Sequence, residues 1–220
     1  MTDLLWEGER RSGRGPKPAL SLDRIVQAAI AIADAEGLGA LSMQRVATDL
    51  GAGTMSLYRY VPGKEELINL MVDRVVGDPP TLDSESWRTD LRTWAHASHD
   101  VFRRHPWSLS AVTGKRSLGP NETAWAESAL AALSGTGLSP AERLKVVNVV
   151  NGQVRGAAQI SPGHGPVLNI EALSRPEVAQ RFPSLMAVLS SDEEFDMADV
   201  FEFGLQRILD GIDALLQTRS

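Results

Sequence analysis

Apolar residues in this chain recur at steps of three and four, and no stretch alternates with the two-residue rhythm of a half-buried strand. The pattern predicts an all-α protein. Over 21–36, Leu22, Ile25, Ala29 and Ile32 share one face, Ser21 stands at the N-cap and Gly37 at the stop. Two short helices follow within 41–61. Ser42 caps the first, Val46, Ala47 and Leu50 form its inward stripe, and Gly51 ends it. Gly53-Thr54 opens the second, whose buried pair is Leu57 and Val61. Pro62-Gly63 stops that helix and starts another over 64–76, with Leu67, Leu70, Met71 and Val75 apolar. Gly77-Asp78-Pro79-Pro80 then breaks the chain, and a domain boundary is expected there.

Beyond the break the rhythm stays helical: 86–104, 121–133 capped by Asn121, 139–160, a short helix near 175–189, and 196–216. The stretch 161–166 (SPGHGP) is expected to be a loop. Residues 86–104 are amphipathic, with Trp87, Leu91, Trp94, Ala95, Ser98, Val101, Phe102 and His105 on one side. Residues 140–160 are apolar on nearly every side, which predicts a sandwiched helix. Gly152 and Gly156 lie on it one turn apart, where another backbone can approach. The last helix aligns Phe201, Leu205, Ile208, Ile212 and Leu215, with Gly204 and Gly211 within the stripe.

The stripe of the second short helix leaves Thr54, Ser56, Arg59 and Tyr60 outward and Tyr58 at its edge. Hydroxyls and a guanidinium bond phosphates and base edges, so this face suits a DNA groove. Leu41 to Ala47, Leu50-Gly51, Ser56-Leu57-Tyr58-Arg59-Tyr60-Val61 and Lys64-Glu65-Glu66-Leu67 together resemble the DNA-binding domain of the tetracycline-repressor (TetR) family, over about 20–76. The resemblance implies a flexible basic arm at 1–19, a three-helix helix-turn-helix domain at 20–77, and a larger helical domain for effector binding and dimerisation at 78–220. It implies DNA contacts by Ser42, Gln44, Arg45, Thr54, Met55, Ser56, Tyr58, Arg59, Tyr60 and Lys64. It also implies a homodimer in which the helices at 140–160 and 196–216 pair with their mates, so that two readers meet two half-sites.

A net charge of −6 looks unfavourable for such a partner until it is divided along the chain. Residues 1–64 carry +1 and residues 65–220 carry −7, so the acidity belongs to the part held away from DNA. Within the first stretch, residues 10–24 carry Arg10, Arg11, Arg14, Lys17 and Arg24 against Asp23, a local +4. The arm at 1–19 then has two readings, a minor-groove or phosphate contact and a solvated tail. The chain has no cysteine, which excludes disulfides and thiolate chemistry. No apolar run is long enough to span a bilayer and the N-terminus lacks a secretory pattern, so a cytoplasmic location is expected.

The resemblance further implies a small-molecule effector in the C-terminal domain. Trp94, Ser98, Phe102 and His105, with Trp107 and Trp125, suit an aromatic pocket with few polar handles, and also suit plain core. Asn148, Asn151 and Arg155 form a polar ladder whose partners are either a ligand or the neighbouring helix of a dimer. His96 and His99 have ligand spacing, but Arg92 and Arg103 share their face and no carboxylate does, so neither a metal nor a cofactor is expected. No nucleophile elbow, phosphate loop or complete dinucleotide fingerprint is present, which argues against an enzyme. The expected function is a DNA-binding transcriptional regulator, a repressor released from a palindromic operator by its effector. The alternative is an effector-independent DNA-binding or protein-binding helical dimer.

Overall fold

The computed structural model describes residues 4–6, 20–83, 86–113, 116–160, 168–173, 175–191 and 199–218. Among these residues all regular structure is helical: α1 (Leu22–Glu36), α2 (Met43–Asp49), α3 (Thr54–Leu57), α4 (Lys64–Val76), α5 (Trp87–Arg104), α6 (Trp107–Ala111), α7 (Pro120–Ala132), α8 (Pro140–Gln159), α9 (Ile170–Leu173), α10 (Pro176–Ala179), α11 (Pro183–Leu189) and α12 (Asp199–Gln217). The signals read from sequence act locally as expected at the start of the chain. Ser21 and Ser42 accept from the backbone N–H three residues on, and Gly37 and Gly51 take positive φ where the chain leaves α1 and α2.

Two hydrophobic cores form. The first gathers Ile25, Ala29 and Ile32 of α1, Val46 of α2, Leu57 of α3, Val61, and Leu67 and Met71 of α4. The second is built from α5, α7, α8 and α12, with Leu91, Trp94, Leu133, Val150, Val154, Leu205 and Leu209 at its centre. The boundary expected at 77 does not separate the two cleanly. Trp107 is buried in the first core, and Ala111 and Val112 pack against it, so α6 returns to the helix-turn-helix.

Three joints fix the parts to one another. Trp125 of α7 donates its indole N–H to the Gly77 carbonyl at the end of α4 (2.9 Å). Asp73 of α4 accepts from the backbone N–H groups of Asn121 (2.9 Å) and Glu122 (3.1 Å). This corrects the cap assigned to Asn121: α7 begins at Pro120, and its free N–H groups are met by a carboxylate from another helix. Gly119 is required there, because a Cβ would fall on the Asp73 carboxylate. The third joint, between α1 and α5–α6, belongs to the site described below.

The pair α8–α12 also differs from expectation. Gly204 serves packing within the chain, its Cα facing the Gln153 amide, which donates to the Val200 carbonyl (3.0 Å). A Cβ added at Gly152, Gly156 or Gly211 would meet nothing within 4 Å among the described residues beyond the helix's own backbone. Thus α8 is not sandwiched within one chain; Leu144, Val149 and Asn148 are exposed on one face of it, as are Phe203 and Leu215 on α12. The single helix expected near 175–189 is two short ones, α10 and α11, divided before Pro183. The last helix starts at Asp199, and 192–198 lie outside the described residues, as does the expected loop at 161–166. Most of the expected arm is also outside them. Its residues Leu4 to Trp6 form a turn, Leu4 packs on the first core, and the Trp6 indole donates to the Leu118 carbonyl (3.2 Å).

Candidate nucleic-acid interface and domain junction

The expected reader is α3, a single turn of helix held from behind by fully buried Leu57 and Val61. The turn from α2 is closed by the Ala52 N–H on the Ala47 carbonyl (2.9 Å), with Gly51 at φ 63°. Outward from this frame, Met55 is 77% exposed and Tyr58 45% exposed. Arg59, Gln44 and Lys64 are exposed, while Thr54 and Ser56 are half-buried. The ten residues expected to face DNA lie on α2 and its N-cap, α3, the turn after α3 and the start of α4, all exposed or half-buried, but their side chains are not equally available. Ser42 spends its oxygen capping α2 through the Arg45 N–H (3.1 Å). Arg45 is gripped by Glu36 (2.6 Å) and Asp49 (3.2 Å), and those hydrogen bonds and charges raise its pKa further above an already high value. Tyr60 donates its hydroxyl to the Leu20 carbonyl ahead of α1 (3.1 Å). Arg45 and Tyr60 thus brace the reader, whereas Met55, Tyr58, Arg59 and Lys64 are presented outward.

The aromatic set expected to line a pocket divides. Trp94 and Trp125 pack edge-to-face with ring centres 5.8 Å apart, and each indole N–H is spent on a backbone carbonyl. Trp94 is core, while Trp125 also borders a cavity of about 490 Å³ with Ala97 and Val101. Ser98 is half-buried and lines neither this cavity nor a larger one. Phe102 and Trp107 line the larger cavity, a cleft of about 910 Å³ between α1 and the body. His105 is beside that cleft, with its Nδ1 2.8 Å from Asp34 Oδ1. The same oxygen accepts the Trp107 indole N–H at 2.6 Å. The polar ladder does not line these cavities. Asn148 is exposed and donates to the Leu144 carbonyl (2.8 Å), and Asn151 and Arg155 are half-buried at the edge of the exposed α8 face.

The two histidines at helical spacing have separate engagements. His96 Nε2 is 3.0 Å from Glu202 of α12, which also pairs with Arg92 (2.7 Å). That carboxylate comes from a helix 106 residues away, so spacing along one helix could not reveal it. His99 stacks on Phe201 at 4.2 Å, and burial, with Arg103 nearby, lowers its pKa and favours the neutral ring. Sequence reasoning missed Asp34 and Asp73, whose partners all lie on distant elements.

A helix-turn-helix with an exposed polar-aromatic reader, joined by α4 and α6 to a larger helical body, defines a DNA-binding regulator. Comparison with known proteins gives the family. Residues 25–71 match the model for bacterial regulatory proteins of the tetR family, and residues 79–216 match the tetracyclin repressor-like C-terminal domain. The chain is 42% identical to the HTH-type transcriptional repressor DrrR1 of Streptomyces coeruleorubidus, over 99% of this chain and 86% of that protein. It superposes on apo ActR of Streptomyces coelicolor with a TM-score of 0.79 at 28% identity, covering 93% of this chain and 100% of that one. ActR in complex with actinorhodin gives 0.75 at 29% identity, covering 90% and 97%. The chain belongs to the TetR family of transcriptional regulators.

Proposed function

We propose that this protein is a homodimeric repressor that binds a near-palindromic operator through α3 and releases it when a small molecule binds in the C-terminal body. The observation that carries the reading is the rim formed by Gln44, Thr54, Met55, Ser56, Tyr58, Arg59 and Lys64 over a sealed core. Sealing the core fixes the direction of every rim side chain, which is what groove contacts demand. The names of relatives support the same assignment: DrrR1 is a repressor, and ActR has been solved with actinorhodin bound. Open clefts in and beside the body favour an effector-responsive protein over an effector-independent dimer.

The exposed faces of α8 and α12 support the dimer. Gly152 and Gly156 are open on α8, with Val149 54% exposed beside them and Phe203 66% exposed on α12. Two copies meeting there would place two readers on one side of the assembly.

The test is footprinting of the purified protein on DNA upstream of its own gene, followed by titration of the protected site. Tyr58→Ala and Lys64→Ala are each expected to weaken operator binding about tenfold, the scale of losing ~1–3 kcal/mol of base or phosphate contact. Helical circular dichroism is expected to stay unchanged. Wild-type affinity in both variants would overturn the docking.

A further inference from the structure

The larger cleft differs from the smaller one in a way that bears on function. Its walls come from both halves of the molecule: Ala33, Asp34 and Leu38 from the helix-turn-helix side, and Phe102, Trp107 and Ser110 from α5 and α6. Ala158 and Gln159 at the end of α8 close a further side. At about 910 Å³ it lies within the range that holds a drug-sized molecule. Its lining has apolar and aromatic surface from Leu38, Phe102, Pro106, Trp107 and Leu109.

The charges on its wall are unequal in availability. Asp34 is committed to two donors, His105 and Trp107. Among the described residues Arg103 pairs with Asp100 alone, one turn back on its own exposed helix face, at 3.3 Å. An exposed pair of that kind exchanges readily for a better partner. A guanidinium beside aromatic walls selects a planar ring that carries a carboxylate, sulfonate or phenolate.

We infer that this junction cleft is the seat of an aromatic anionic effector, and that Asp34 transmits its occupancy to the reader. The inference rests on the ligand-released repressor reading. Asp34 belongs to α1, the helix on which α2 and α4 pack, yet its carboxylate is bonded to the start of α6 and the end of α5. A ligand entering between Leu38 and Ser110 presses on this link from the side. It separates α1 from α6 and tilts the whole helix-turn-helix against the body. In a dimer that tilt changes the spacing of the two readers. A coupling of about tenfold in operator affinity is within the usual range for such a device.

Anilinonaphthalene sulfonate, an aromatic anion that brightens in apolar surroundings, is the probe. It is titrated into the full-length protein while energy transfer from tryptophan is followed, since Trp107 lies in the cleft wall. Ser110→Trp fills the cleft and Arg103→Ala removes the cation; both variants are first checked for wild-type circular dichroism. Each is expected to bind the probe at least about tenfold more weakly than wild type, the effect of blocking a site or removing its charged contact. Probe at a concentration that saturates each protein by its own titration is expected to weaken operator binding by wild type about tenfold and to have no such effect on Asp34→Ala, where the link is cut. Equal probe affinity in wild type and Ser110→Trp overturns the site. Equal release from wild type and Asp34→Ala overturns the role of Asp34. A wild-type protein that protects no operator fails the repressor reading instead, and the probe titrations still decide the cleft.

Discussion

At the scale of single residues, position on the reader and availability to DNA come apart. Tyr58 and Tyr60 are separated by one residue, yet only Tyr60 has its hydroxyl tied to the chain ahead of α1. Spacing puts Tyr60 off the buried stripe and Tyr58 at its edge, because a helical wheel registers faces and not the carbonyl of Leu20. Removing that hydroxyl by Tyr60→Phe is expected to lower stability by about 0.5–1 kcal/mol, the net worth of one hydrogen bond, measured by urea unfolding. Operator affinity is expected to stay within about twofold of wild type, because the bond braces the fold and does not read a base. A large loss of operator affinity with unchanged stability would return Tyr60 to the DNA-reading set. Arg45 follows the same logic, its guanidinium already held by Glu36 and Asp49.

At the scale of elements, α4 links the reader to the body, and the grip of Asp73 on α7 decides how firmly. Burial raises the Asp73 carboxyl above its ordinary 3.8, while bonds from the Glu122 and Asn121 N–H groups and the Arg116 charge pull the other way. A carboxyl with a raised pKa holds its proton more tightly in the fold than in the unfolded chain. Stability conferred by that proton is complete below about 4 and is lost as pH climbs through the raised value. Asp73→Asn keeps an acceptor for the two N–H groups without the charge. The stability of wild type relative to this variant is therefore expected to fall through the mildly acidic range and stay level above it. A difference that stays constant with pH in urea melts would show that the carboxyl is not raised. Asp73→Ala orphans both donors and is expected to cost about 1–3 kcal/mol, and Gly119→Ala a similar amount because its Cβ displaces the carboxylate. The helices themselves were legible because caps, glycine stops and three-to-four periodicity are local: α1, α2 and α4 begin and end close to where the pattern puts them, but α3, expected to run to the Pro62-Gly63 stop, ends at Leu57, and Val61 is buried from the turn beyond it. The trans cap on α7 was not legible. Its two halves are 48 and 49 residues apart, and Asn121 offered a plausible local substitute.

At the scale of the whole molecule, the valines spread around 140–160 suggest a sandwiched helix, but α8 buries only Val146, Val147, Val150, Val154 and Ala157, and periodicity does not say whether a second covering layer comes from the same chain. One chain covers α8 with α5, α7 and α12 and leaves the side bearing Leu144, Val149 and the two glycines open. Such a face, continued by Phe203 on α12, is where the proposed dimer would bury surface, and stable dimers need roughly 800 Å² per partner. The charge division is compatible with this arrangement, since 65–220 carry −7 and 1–64 carry +1. Val149→Glu combined with Phe203→Glu puts four like charges into a two-fold interface, where desolvation leaves them uncompensated. The double variant is expected to sediment as a folded monomer at micromolar concentration, with wild-type helicity, because neither side chain contributes to a core. Its operator affinity is expected to drop at least about a hundredfold, since a monomer holds one half-site where the dimer holds two. Dimers that persist in this variant would place the subunit contact elsewhere. Intact operator binding by a proven monomer would remove the need for paired readers altogether.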